Sequence, residues 1–337
     1  MRSKLLKTDR LLPEETAFDT ALRPKSWNEF IGQKKAKENL EVLITAAKKR
    51  GESCDHILLY GPAGLGKTTL AHIVAGEMNG SLKTTSGPVI ERAGDLVALL
   101  TNLGHGDILF IDEAHRLQRQ IEEILYPALE ARTINLIVGS GTTARSIELK
   151  LPPFTLIAAT TRIGMLSSPL RSRFGATLRL DFYALEDIEK IILRSAELLN
   201  IAIQPQALKT LANAARFTPR IANRLLKRSR DYAEISGLSV IDEHTTRKTL
   251  SLLEIDDLGL EAADRELLGT IIHKFNGGPV GIQTLAAATA EEKETIEDLY
   301  EPYLLRLGLL ERTSKGRKAT TLAYDHLGLK LPQKRLI

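Results

Sequence analysis

Three features of this 337-residue chain point to a parallel α/β domain followed by an all-helical module and a winged-helix module. The first is a glycine-rich loop set between an apolar run and a helical stretch. The second is an apolar run that ends in two carboxylates. The third is a change of texture after residue 183, where strand-like runs give way to helical periodicity and basic charge gathers toward the C-terminus. Short apolar strands alternating with helical stretches are the pattern of a sheet covered by helices.

The loop reads Gly61-Pro62-Ala63-Gly64-Leu65-Gly66-Lys67-Thr68-Thr69, a complete G-x-x-x-x-G-K-T. His56 to Tyr60 lead into it as a strand, and Thr68 to Glu77 follow as a helix, the context this motif requires. Gly61, Gly64 and Gly66 let the backbone approach an anion without Cβ clashes. Successive N–H groups and the helix N-terminus then face phosphates. Lys67 adds a point charge on the β- and γ-phosphates, and the Thr68 hydroxyl is a direct Mg²⁺ ligand. ATP and Mg²⁺ are the expected cofactors.

Asp107-Ile108-Leu109-Phe110-Ile111-Asp112-Glu113 supplies the second half of a site. Its apolar centre suits a strand covered on both faces, and the C-terminal ends of such strands are where these sheets bind ligands. Asp112 is expected to hold Mg²⁺ through water, and Glu113 to orient or deprotonate an attacking water. A nucleotide binder or a kinase has no need of Glu113; a hydrolase has.

Composition narrows the class. Hydrophobic residues make up 43% of the chain, enough for a sizeable core. No apolar run reaches membrane-spanning length and no signal peptide is expected, so the chain reads as cytoplasmic without a membrane partner. One cysteine, Cys54, rules out an intramolecular disulfide and a cysteine-based metal site. Net charge is only +4, but residues 306–337 hold eight Lys/Arg against two acids, which leaves −2 for the remainder. A terminal module at +6 points to a polyanion, or else to a solvated basic tail.

Three domains follow, at 1–183, 184–255 and 256–337. Strands are expected at 56–60, 107–111, 133–138 and 154–159. Thr133 to Val138, a Gly139-Ser140-Gly141 break and alternating Arg145 to Leu149 read as a β-hairpin inserted at about 133–150. Ile147 and Leu149 then form either a projecting apolar patch or part of an edge packed on the sheet. Thr160 and Thr161 close the next strand, where a polar side chain faces the γ-phosphate. Arg171 and Arg173 come soon after, and a planar, permanently charged guanidinium suits charge on phosphoryl oxygens. In the helical region Pro205 and Pro219 take first-turn positions, and Arg220 is a further candidate for phosphate. Asp256 to Gly259 read as a linker. The last module has three helices, at 266–275, 283–290 and 294–305. Two short strands follow around a basic tip, Ser314-Lys315-Gly316-Arg317, the layout of a duplex-backbone reader.

The chain resembles, nearly end to end, the RuvB family of bacterial Holliday-junction branch-migration motors, which are AAA+ ATPases. The resemblance is carried by Leu22-Arg23-Pro24-Lys25, Phe30-Ile31-Gly32-Gln33, Gly61 to Thr69, Ile111 to Leu117, Leu151 to Ile157, Ser168 to Gly175, Thr218 to Arg224, Gly277-Gly278-Pro279-Val280-Gly281 and Arg312-Thr313. It implies an AAA+ P-loop domain, a helical lid and a winged-helix head acting as a homohexameric ring on double-stranded DNA. The implied partners are a RuvA-type junction-binding protein and a RuvC-type resolvase. It makes Leu22, Arg23 and Tyr183 adenine-site residues, Thr161 (or Thr160) the γ-phosphate sensor and Arg173 an arginine finger given to the neighbouring subunit. Arg220 becomes the second sensor, and Gly64, Gly66, Lys67, Thr68 and Thr69 the phosphate cradle. Arg312, Lys315 and Arg317 become DNA contacts, and Ile147 and Leu149 RuvA contacts. Glu130-Ala131-Arg132 departs from the family's Glu-Asp-aromatic sequence lining the nucleotide site; only Glu130 carries over. A clamp-loader-like or initiator-like switch, which would share the first two domains, is the alternative.

Overall fold

The computed structural model describes residue 18, residues 20–138 and residues 145–331. The Gly139-Ser140-Gly141 break and the basic residues Lys334 and Arg335 lie outside them. The chain divides into two compact units: one runs to Gly61 and resumes from Gly66 to Leu180, and the other takes Pro62–Leu65 and everything from Asp181 onward.

The first unit is built on a parallel sheet of β1 (Ile57–Tyr60), β2 (Leu82–Ser86), β3 (Ile108–Asp112), β6 (Thr155–Thr160) and β7 (Ala176–Arg179), in the order β2-β3-β6-β1-β7. The central strands are buried along their length because helices cover both faces. Two of these strands, β2 and β7, were not expected. They are the sheet's edges, half-exposed and polar in alternation, so no apolar run announces them. Residues 133–138 are not in this sheet. They form β4 (Thr133–Val138), antiparallel to β5 (Arg145–Lys150), with Leu136 opposite Ile147. This is the inserted hairpin, and its base is anchored: Ile134 and Leu151 join the core, Leu149 packs against it, and Ile147 stays 43% exposed.

His56, just before β1, ties this core together. Its Nδ1 accepts from the Leu156 N–H at 2.9 Å and its Nε2 faces the Leu129 carbonyl at 3.2 Å. Only a neutral ring can accept at Nδ1 and donate at Nε2. Burial, the largest influence, accordingly lowers its pKa below the ordinary histidine range. Below the unfolded-state pKa of about 6.5 the unfolded chain binds the proton first, so stability falls as pH drops from there. The urea midpoint should therefore fall more between pH 7.5 and 5.5 in the parent than in His56→Gln; equal falls would remove His56 from the acid sensitivity.

The second unit begins with four helices: Leu185–Leu198, Pro205–Ala214, Pro219–Ile235 and Glu243–Leu252. Both prolines open their helices as expected. A small parallel pair, β8 (Ala202–Ile203) with β9 (Val240–Ile241), joins the loops. The winged helix follows with helices Ala262–Lys274 and Ile282–Thr289. A helical run comes next, made of Lys293–Thr295, a π turn at Ile296–Tyr300, and Glu301–Arg306. Pro302 lacks an N–H and crowds the carbonyl four residues back, which accounts for the π turn before it.

Asp256 to Gly259 are an ordered turn and not a free linker. The Asp256 carboxylate accepts from the N–H groups of Leu258 and Leu260 and pairs with His326 at 2.8 Å. Helical and winged parts are further joined by a buried ion pair. Arg216, in left-handed backbone at φ 52°, forks onto Asp264 at 2.9 and 3.2 Å and lies over the Tyr303 ring at 4.4 Å. Burial pushes the Asp264 pKa up while Arg216 opposes it. Removing one partner of such a pair costs about 3–5 kcal/mol, because the other is left charged and dry.

Candidate functional site

The loop after β1 lies at the point where strand order reverses, β1 being flanked by β6 and β7, and crevices of this kind hold ligands. Gly61, Gly64 and Gly66 all take positive φ, at 141°, 78° and 99°. A Cβ at Gly61 would collide with the Leu180 carbonyl, so that position is closed to any other residue. Lys67 opens the helix Lys67–Met78; it is buried and donates from Nζ to the Gly61 carbonyl at 2.8 Å. Thr68 and Thr69 share this first turn, part-exposed. In the second unit, Arg220 begins the helix Pro219–Ile235 with its Cβ 3.2 Å from where a Gly64 Cβ would stand. The buried Tyr183 donates its hydroxyl to the Leu65 carbonyl at 3.2 Å.

Sheet register brings the acids and the polar strand end to the loop's edge. Tyr60 pairs with Thr160, and Ile111, just before Asp112, pairs with Ala158. Asp112 Oδ1 accepts from the Glu113 N–H at 2.8 Å. Glu113 turns the chain at φ 48°, and its carboxylate meets Arg116 at 3.1 Å. A left-handed conformation in a non-glycine residue is uncommon and aims the side chain away from the strand line. The buried Thr160 hydroxyl is engaged, lying 3.1 Å from His115 Nδ1 and accepting from the Arg162 N–H at 2.9 Å. Thr161 follows, part-exposed at the strand end. Leu22 is buried, and Arg23 Nη1 lies 2.6 Å from His72 Nε2.

Among the described residues no cluster of three or more His, Cys, Asp or Glu could hold a metal by itself. The Thr68 hydroxyl and the Asp112 carboxylate at the phosphate loop are still a fitting set for Mg²⁺. That ion keeps several waters and takes phosphate oxygens beside one or two protein oxygens.

Arg173 does not reach freely into solvent. Its Nη1 donates to the Pro169 carbonyl at 2.6 Å and its Nη2 pairs with Glu130 at 3.1 Å. The guanidinium sits 4.5 Å from the centre of the Tyr126 ring. Glu130, expected on nucleotide, thus has its carboxylate on Arg173. Tyr126 went unnoticed in the sequence because an aromatic on an amphipathic helix reads as core.

In the C-terminal wing, β10 (Leu310–Thr313) pairs with β11 (Gly316–Ala319), Arg312 facing Arg317 across the ladder. The turn is therefore Ser314-Lys315, and Arg317 lies in a strand, not at the tip where the sequence reading put it. Two arginines opposite one another repel; here Glu301 lies between them. It accepts from Arg312 at 2.9 and 2.7 Å and from Arg317 at 3.1 and 3.0 Å, and Glu297 takes Arg317 as well. Burial alone would raise the Glu301 pKa, but the two arginines outweigh it and hold it low. Arg317 is 8% exposed, while Arg312 and Lys315 remain exposed. Arg317→Ala should cost about 3 kcal/mol of stability, the low end for a broken buried pair because Glu301 keeps Arg312. Lys315→Ala should spare stability and flatten the slope of log DNA affinity against log salt by roughly 0.9. Chemical denaturation and salt-dependent anisotropy separate the two; the reverse assignment would restore Arg317 to the DNA surface.

Comparison with known proteins agrees with this architecture domain by domain. The family profile described as the Holliday junction DNA helicase RuvB P-loop domain matches residues 22–180. The RuvB AAA lid domain matches 183–256, and the RuvB C-terminal winged helix domain matches 257–328. A Holliday junction branch migration complex subunit RuvB from Dehalococcoides mccartyi (strain CBDB1) is 56% identical over 324 residues, 96% of this chain and 93% of that one. The solved Thermotoga maritima RuvB Holliday junction branch migration motor is 48% identical with a TM-score of 0.85, covering 93% of this chain and 100% of that one. A lysine-to-arginine mutant of it gives a TM-score of 0.86 at 48% identity, covering 92% and 99%. With a phosphate loop, paired acids and a winged helix in one continuous match, the chain belongs to the RuvB family of AAA+ ATPases.

Proposed function

We propose that this chain is an ATP-driven motor that moves four-way DNA junctions, working as a homohexameric ring on duplex DNA beside a RuvA-type junction binder and a RuvC-type resolvase. The observation that carries the reading is an intact hydrolytic set, Lys67, Asp112, Glu113 and Arg173, in a chain that ends in a winged helix with an exposed basic turn at Lys315. A switch that deposits a partner has no need of that turn.

Each residue has a task in this scheme. Gly64, Gly66, Lys67, Thr68 and Thr69 hold the phosphates of ATP with backbone N–H groups, an ammonium and hydroxyls. Mg²⁺, bound by Thr68 directly and by Asp112 through water, neutralises charge developing on the phosphates. Glu113 orients the attacking water. Thr161 reads the γ-phosphate, since the Thr160 hydroxyl is already engaged by His115 and the Arg162 N–H. Arg173 serves the neighbouring subunit's nucleotide, and Arg220 senses phosphate from the lid. Leu22, Arg23 and Tyr183 serve the adenine. Ile147, an exposed apolar side chain of the hairpin, is the contact for the RuvA-type partner, with Leu149 fixing the hairpin's base. Arg312 and Lys315 meet DNA phosphates. The cytoplasm, where the chromosome lies, is the place of work.

ATP turnover measured without DNA, with linear duplex and with a four-way junction tests the reading. Duplex should raise turnover, and Ile147→Asp should leave that stimulation intact while abolishing any further response to the RuvA-type partner. Turnover indifferent to DNA would favour the loader-like switch.

A further inference from the structure

Three contacts converge on one guanidinium, and two come from a single helix face. Tyr126 and Glu130 are four residues apart on the helix Arg119–Glu130, so their side chains lie one above the other. Arg173 lies across both, its guanidinium 4.5 Å from the Tyr126 ring centre and 3.1 Å from Glu130. The Tyr126 hydroxyl is itself fixed, 2.9 Å from the Ser167 hydroxyl. Ser167 caps the turn Ser168–Arg171 through the Leu170 N–H at 3.3 Å, and that turn carries Pro169, whose carbonyl accepts from Arg173. Tyr126 thus touches the arginine with its ring and the segment bearing that arginine with its hydroxyl. The side chain of Arg173 is 19% exposed.

A long, flexible arginine loses side-chain entropy when it engages a phosphoryl group. Holding it in one place beforehand lowers that cost at the moment of reaction. An aromatic face suits this task better than a second carboxylate, because it attracts the guanidinium without taking up its hydrogen bonds. Glu130 offers one weak, exposed bond that is readily exchanged for a phosphate.

We infer that Tyr126, together with Glu130, is a positioning residue for Arg173. The inference rests on the reading of Arg173 as the catalytic arginine, but not on whether Arg173 acts within its own subunit or on the next. Glu130 then works through Arg173, and not by direct contact with nucleotide as the family resemblance implied.

A double-mutant cycle on the full-length protein, read as DNA-stimulated ATP turnover, tests it. Tyr126→Leu should lower kcat by roughly 3- to 30-fold, the range a cation–π contact covers, with KM for ATP nearly unchanged. Tyr126→Phe, which keeps the ring, should stay within about 3-fold of the parent. In an Arg173→Ala background, both Tyr126→Leu and Glu130→Gln should be silent, because what they position is gone. Further losses in that background, multiplying with the Arg173→Ala loss, would overturn the inference: Tyr126 would then be structural, or Glu130 a nucleotide contact. A rise in KM with unchanged kcat would overturn it as well. If mixed-subunit rescue of Arg173→Ala failed while the cycle stayed non-additive, the trans reading would fall and the positioning role would stand.

Discussion

Arg173→Ala should bind ATP almost as tightly as the parent and hydrolyse it some 10³- to 10⁵-fold more slowly, the range for an arginine finger. The guanidinium follows β6 in the chain and packs on Tyr126, Glu130 and the Pro169 carbonyl of its own chain. None of these contacts involves the phosphate loop, so truncation leaves ground-state nucleotide binding alone and removes charge stabilisation felt in the transition state. Mixed with Lys67→Ala subunits, which keep the arginine but lose the phosphate-binding ammonium, Arg173→Ala subunits should regain measurable turnover. No recovery in demonstrably mixed assemblies would place the arginine's action in its own subunit, with Arg171 the next residue to test.

Glu113→Gln should retain ATP and Mg²⁺ and lose about 10²- to 10⁴-fold in turnover, as expected when a base or water-orienting group is removed. Asp112 and Glu113 are adjacent in sequence yet differently placed. Asp112 ends β3 and holds the Glu113 N–H, while Glu113 has already turned into left-handed backbone with its carboxylate half-exposed beside Arg116. The amide is isosteric and keeps that hydrogen-bonding reach, but it cannot take a proton or carry charge. A nucleotide-binding assay alongside single-turnover hydrolysis separates the two functions. Near-normal hydrolysis by the amide variant would remove Glu113 from the chemistry and leave Arg116's partner as a plain surface ion pair.

What could be read in the sequence followed from how locally each signal is written. The phosphate loop, the strand ending in Asp112 and the two helix-opening prolines are contiguous, and each stands where its pattern put it. The hairpin was legible because glycines interrupt two alternating runs. Edge strands β2 and β7 escaped because Lys83-Thr84-Thr85 and Thr177-Leu178-Arg179 carry the mixed polarity of half-covered positions. Arg317 was misplaced by a short shift. Gly316 looks like turn material, yet it opens β11 at φ 133°, where a Cβ would strike the Val280 carbonyl. That shift moves Arg317 from the tip into the strand, onto Glu301. Partnerships across long separations could not be read at all. Arg216 meets Asp264 from 48 residues away, and Arg173 meets Tyr126 across a similarly long stretch of chain.

ATP hydrolysis by a motor of this kind should move a DNA junction. The most direct measurement follows a synthetic four-way junction with differently labelled arms, incubated with the chain, its RuvA-type partner, Mg²⁺ and ATP. With ATP the junction should resolve into two duplexes, and it should persist with a non-hydrolysable analogue or with Glu113→Gln. A junction that stays intact while ATP is hydrolysed at the DNA-stimulated rate would contradict this reading and leave an ATPase switch in place of a motor.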